Sequence, residues 1–127
     1  MTEERASEFG RYFAELRRER LGMTLRRFCE RHGFDPGNIS KLERGKLPPP
    51  QSPDLLEKYA RALGLKKGSD EWYEFFDRAA AARGEIPADV LEDDEVVAHL
   101  PVLFRTLRGD RVSDEQLRKL IEIIKGA

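Results

Sequence analysis

The stretch from Gly22 to Gly45, GMTLRRFCERHGFDPGNISKLERG, constrains this chain more than any other, because its caps and breakers divide it into two short helices joined by a tight turn. Thr24 offers its hydroxyl to the free N–H groups of a first helix, on which Leu25, Phe28, Cys29 and His32 share one side. Gly33 is predicted to end that helix, since glycine adopts the left-handed backbone of a helix exit, and Phe34 is predicted to be buried between the two helices. Asp35 then caps a second helix with Pro36 at its first position, where a missing N–H costs nothing. Ile39 and Leu42 fall on its inner side, Gly37, Asn38, Lys41 and Arg44 face outward, and Gly45 ends the run.

A helix pair of this size is a common device for laying one helix in the major groove of DNA. The run Ile39-Ser40-Lys41-Leu42-Glu43-Arg44-Gly45 and the later Leu55-Leu56-Glu57-Lys58-Tyr59-Ala60-Arg61-Ala62-Leu63-Gly64 resemble segments of the XRE family, the group of the lambda-type phage repressors and Cro. The resemblance covers about residues 7 to 66 and implies a five-helix DNA-binding domain. Two departures matter. Many relatives carry a phosphate-holding glutamine just after the cap of the first motif helix, where this chain has Leu25, and the two front positions of the recognition helix are Pro36 and Gly37. Base reading is therefore expected of Asn38 and Lys41, whose side chains suit adenine and guanine edges. Phosphate contacts are expected of Thr24, Arg26, Arg27, Ser40 and Arg44, with Lys46 added by the resemblance.

Electrostatics points the same way. Arg26 and Arg27 sit in the first turn of a helix, where the dipole ordinarily disfavours cations, and a phosphate would offset that cost. The alternative is that both are solvated surface charges partnered by Glu30 or Glu19. Residues 1 to 68 hold 15 Lys or Arg and 10 Asp or Glu, net +5, while residues 69 to 127 hold 8 and 14, net −6. Attraction to phosphate is thus expected on the part that carries the motif.

Around the motif, Phe9, Tyr12, Phe13 and Leu16 mark an amphipathic first helix that ends near Leu21-Gly22. The loop KLPPPQ is too rich in proline to be helical, and Ser52 with Pro53 starts the next helix, whose Leu55, Leu56, Tyr59, Ala60 and Leu63 close a core. Ser69 caps a helix whose Trp72, Phe75, Phe76, Ala79 and Ala80 read as core rather than as a base-stacking platform, with Gly84 at its end. The acidic run LEDDE reads as a helix start rather than a metal site. In VVAHLPVLFRTL, Pro101 is expected to kink or divide the helix. Ser113 and Gln116 make a capping box, and Val112 with Leu117 a hydrophobic staple, for a last helix. Leu100, Val102, Leu103, Phe104, Leu107, Leu120 and Ile124 are expected to bury against a second copy or another partner, the alternative being an intrachain cover for the Trp72 helix.

Cys29 reads as a core thiol, and one cysteine makes no internal disulfide. His32 and His99 stand in no catalytic order, and no phosphate-cradling glycine loop, zinc spacing or cofactor motif occurs. With 39% hydrophobic and 37% charged residues and no apolar run of membrane length, a cytoplasmic protein is expected. The expectation is therefore an all-α chain, with a DNA-binding domain over 1–68 and a helical dimerisation or partner-binding region over 69–127. Its expected function is that of a homodimeric repressor on double-stranded DNA with inverted half-sites, not an enzyme. The alternative is an antitoxin that binds a protein toxin through its C-terminal part and represses its own operon.

Overall fold

The computed structural model describes residues 2–109 and 113–126, with side chains for residues 4–109 and 113–123. Eight α-helices account for the regular structure among these residues: α1 (Thr2–Glu15), α2 (Leu25–His32), α3 (Pro36–Glu43), α4 (Pro53–Ala62), α5 (Asp70–Arg83), α6 (Ala88–Leu91), α7 (Asp94–Leu107) and α8 (Asp114–Gly126). The fold is all-α, as the periodicity predicts. At its end α1 widens into a π-helical turn, Leu16–Arg20, where the Leu21 N–H reaches back to the Leu16 carbonyl at 3.3 Å.

The chain forms two compact units, Met1–Ile86 and Pro87–Ala127. This division differs from the expected one at residue 68, because α5 belongs to the first unit. The reason is aromatic packing: Phe75 is fully buried, its ring 5.4 Å from Phe9 and 6.3 Å from Phe13, while the Arg78 guanidinium lies 4.2 Å over the Tyr12 ring. Phe9, Phe13, Phe28, Ile39, Tyr59, Leu63 and Trp72 complete one core, in which each fully buried large side chain contributes about 1.5–3 kcal/mol. With α5 included, residues 1–86 hold 17 basic and 15 acidic residues, net +2, and residues 87–127 hold 6 and 9, net −3. The charge polarity keeps its sign and loses most of its size.

In the second unit α7 and α8 pack together, as do α6 and α7. The Asp93 carboxylate caps α7 by accepting from the N–H groups of Glu95 at 3.0 Å and Val96 at 3.3 Å. Helix α7 runs undivided through Pro101, which removes one N–H from its ladder without splitting it. The capping box forms in both directions: Gln116 N–H donates to Ser113 Oγ at 3.1 Å, and Ser113 N–H to Gln116 Oε1 at 3.0 Å. Val112, half of the expected staple, lies outside the described residues, as does the side chain of Ile124. Leu120, expected on a partner surface, is instead 8% exposed inside its own unit. Leu100, Val102 and Leu103 are half-buried, and Phe104 and Leu107 are exposed.

Candidate nucleic-acid interface

The motif is assembled by its caps. Thr24 Oγ1 accepts from the Arg27 N–H at 3.2 Å and starts α2, which Gly33 ends at φ 72°. There the Phe34 N–H returns to the Cys29 carbonyl at 3.0 Å. Phe34 is half-buried rather than enclosed: its ring lies 5.8 Å from Phe28 and stands edge-on to Tyr59 at 5.0 Å. His32 packs on Phe28 and Phe34, and its burial lowers its pKa below the usual histidine range, with Arg31 adding to the shift. Asp35 Oδ2 then accepts from the Asn38 N–H at 3.0 Å and starts α3, with Pro36 in its first turn.

The far end of α3 is clamped. Arg17, carried on the π-turn, donates from Nε and Nη2 to the two carboxylate oxygens of Glu43, both at 2.7 Å, and from Nη1 to the Met23 carbonyl at 2.8 Å. The two side chains are 6% and 8% exposed, so the ion pair is buried, and the carboxylate's hydrogen bonds push the Arg17 pKa up. Gly10 lets α1 touch the α3 backbone: a Cβ there would sit 2.8 Å from the Glu43 carbonyl carbon and nearer still to two carbonyl oxygens. Gly45 is needed twice over, for its φ of 75° and because a Cβ would lie 2.7 Å from Ser7 Cα. Glutamate and glycine of the Glu43-Arg44-Gly45 run therefore hold the helix in place.

Ile39 and Leu42, 1% and 3% exposed, fix the inner side of α3. Asn38, Lys41, Arg44 and Lys46 are exposed, and Ser40 is half-buried. Arg44 folds back, its Nε donating to the Ser40 carbonyl at 3.3 Å. The side chains of Asn38, Lys41 and Lys46 have no protein partner among the described residues. Pro36 and Gly37 are also exposed, and a Cβ on Gly37 would meet only the Asp35 carboxylate, at 3.2 Å. The front of α3 is thus bare backbone followed by free polar side chains.

On α2, Arg26 pairs with Glu30 at 3.4 Å with both side chains largely exposed, as the solvated alternative expected, whereas Arg27 has no side-chain partner among the described residues. Thr24 is exposed, and with its oxygen accepting from Arg27 its hydroxyl proton is free to donate. Between residues 24 and 46 stand six basic and three acidic residues. Glu43 is held by Arg17, Asp35 by the α3 N-terminus and Glu30 by Arg26, which leaves Arg27, Arg31, Lys41, Arg44 and Lys46 as positive charge without an ion-pair partner among the described residues.

A family profile described as a helix-turn-helix domain matches residues 8–71, from within α1 to the start of α5 and about half of the chain. The chain belongs to the helix-turn-helix domain family. As a helix-turn-helix protein it is a DNA-binding regulator. No curated protein and no solved structure matches it significantly. In this helix-turn-helix protein α3 occupies the place of the recognition helix. Two residues at the site escaped the sequence reading. Arg31 is an exposed cation on α2 that a count of unpaired charge would have found, while Arg17 is tied to a glutamate 26 positions away with no local signal.

The remaining candidates fall outside the site. Burial raises the Cys29 thiol pKa, and the residue is 1% exposed. Trp72 and Phe75 are 7% and 0% exposed, so their faces are covered by protein and not open to bases. Among the described residues, no group of three or more His, Cys, Asp or Glu could hold a metal, and no helix is long and apolar enough to cross a membrane.

Proposed function

We propose that this helix-turn-helix protein is a sequence-specific transcriptional regulator of the XRE kind, acting as a homodimeric repressor on an operator with inverted half-sites. It works by binding and carries out no catalysis. The observation that carries this reading is the pair Asn38 and Lys41, exposed and without protein partners, on a helix whose inner side and far end are locked. In this reading Asn38 and Lys41 meet base edges, Lys41 at guanine and Asn38 at adenine. Thr24, Arg26, Arg27, Ser40, Arg44 and Lys46 meet phosphates, with Arg31 added from its exposure. The bare Pro36-Gly37 front lets the α3 backbone approach the groove floor closely, so that the short Asn38 side chain reaches a base edge. Half-sites about one helical turn apart follow from two-fold symmetry, since both recognition helices must enter the same face of the duplex.

The test is fluorescence anisotropy on random-sequence and selected duplexes across a range of salt. Specific binding whose logarithm falls linearly with log salt is expected, with a slope reduced by about one unit in Arg27→Ala. Equal, salt-independent binding to every duplex would remove the reading. An antitoxin reading draws on a separate observation: Leu107 and Phe104, 74% and 42% exposed, lie beyond the acidic run Glu92–Glu95 in a unit of net negative charge that would suit a basic protein toxin. Binding of such a toxin through residues 87–127 with loss of its activity would favour that reading.

A further inference from the structure

Helix α7 has two apolar sides, and its own unit covers one of them. Val96, Leu100 and Leu103 are half-buried, and α7 packs on α8. A second stripe, Asp94, Val97, Pro101, Phe104 and Arg108, recurs at alternating steps of three and four, which places it on one helical face. Every member is exposed, Val97 at 38% and Phe104 at 42%, and Leu107 beside it stands 74% open. Neither Asp94 nor Arg108 has an ion-pair partner among the described residues, and Arg108 Nε only folds back onto the Phe104 carbonyl at 3.3 Å.

The order of this stripe is acid, apolar, apolar, apolar, base. Read backwards it is its own complement. The geometry points to a second copy of this chain as the occupant, with α7 lying antiparallel on α7 of the other copy about a two-fold axis at Pro101. Asp94 then faces Arg108 of the second copy, and Arg108 faces its Asp94, at opposite ends of an apolar strip in which Val97 packs against Phe104 of the second copy and Phe104 against its Val97. A parallel pairing would set Asp94 against Asp94 and Arg108 against Arg108. The unit's small intrachain core, in which Leu120 is the one hydrophobic residue under 9% exposed among those described, fits an element that completes its burial by self-association. This inference rests on the dimeric reading above and gives it a surface.

The test is sedimentation velocity on the full 127-residue chain without DNA, for the wild type, Asp94→Arg, Arg108→Asp and an equimolar mixture of the two variants. A wild-type dimer is expected, each variant alone weakened about tenfold or more by facing like charges, and the mixture restored to a dimer. In addition, Pro101→Cys should oxidise to a cross-linked dimer while Val97→Cys should not, because only the residue on the axis meets its own copy; buried Cys29 does not compete. Circular dichroism melts confirm that each variant is folded. A wild type that stays monomeric, single variants that dimerise as well as the wild type, or mass gained only on adding a toxin would overturn the proposal. DNA affinity, read separately, distinguishes the failures. A dimer that ignores DNA removes the DNA-binding reading and keeps the interface, whereas a monomer that binds single half-sites removes the interface and the dimeric part of the reading and keeps its DNA-binding part.

Discussion

At its C-terminal end α3 runs into a buried bidentate ion pair with Arg17, the unadorned backbone at Gly10 and the tight contact of Gly45 with Ser7. At its N-terminal end Pro36, Gly37 and Asn38 are all exposed, and among the described residues the one side-chain hydrogen bond to them is that of the Asp35 cap, which accepts from the Asn38 N–H. One eight-residue helix is therefore clamped at one end, while its free chemistry runs from the open front along the outer flank to Lys41. Changes at the clamp should alter folding first and DNA binding only as a consequence. Changes at the front and on the outer flank should alter DNA binding while the melting temperature stays put.

The largest effect is expected at Gly10. A methyl group there falls on the carbonyls of Leu42 and Glu43, backbone that cannot rotate away, so Gly10→Ala should cost about 3 kcal/mol or more in a denaturant melt. Melting like the parent would mean that α1 and α3 are not in backbone contact. An effect of the same size is expected for Arg17→Ala, which strands Glu43 as a buried charge and should cost about 3–5 kcal/mol. Arg17→Met combined with Glu43→Leu should recover most of that loss, since paired removal leaves no orphan charge. A double variant no more stable than Arg17→Ala would show that the pair does more than hold the helix.

On the open flank, Lys41→Ala should leave the melt unchanged and relax preference at one or two base pairs by about 1–3 kcal/mol. Arg27→Ala should weaken all sequences alike, which salt titration separates from the Lys41 effect. The smallest expected effect involves His32 at the turn. Its folded pKa is lowered by burial, so the unfolded chain binds a proton more readily, and stability should decline as pH falls through the ordinary histidine range. His32→Gln should flatten that decline in melts taken on either side of pH 6.5, about the unperturbed histidine value. A decline that persists unchanged would place its origin elsewhere.

Much of this was legible in the sequence because helix starts are local. Thr24, Asp35, Ser52 and Ser69 each accept from the N–H three residues on, as their residue types and spacing predict. The Gly33 turn and the inner positions Ile39 and Leu42 follow from the same short-range logic. What escaped was long-range. The periodicity of α5 shows that Trp72 and Phe75 need burial and says nothing of where, so its place on α1 beside Phe9 moved the division between units from 68 to 86. The Arg17–Glu43 pair has no local signature either, and the glycine inside α1 was the one visible hint of a close backbone approach. Helix α6 is a single turn without a side-chain cap, too short to show a period. Pro101 proved a weaker breaker than its chemistry suggests, because one lost hydrogen bond leaves the rest of a fourteen-residue helix in place.

The central claim is that the open front and flank of α3 read DNA. The most direct measurement is selection of bound duplexes from a random library, run in parallel on the wild type and on Lys41→Ala. The account predicts a two-fold symmetric motif for the wild type, and for the variant the same motif with relaxed choice at one or two positions in each half. No enrichment from folded wild-type protein, or identical motifs from both, would contradict it.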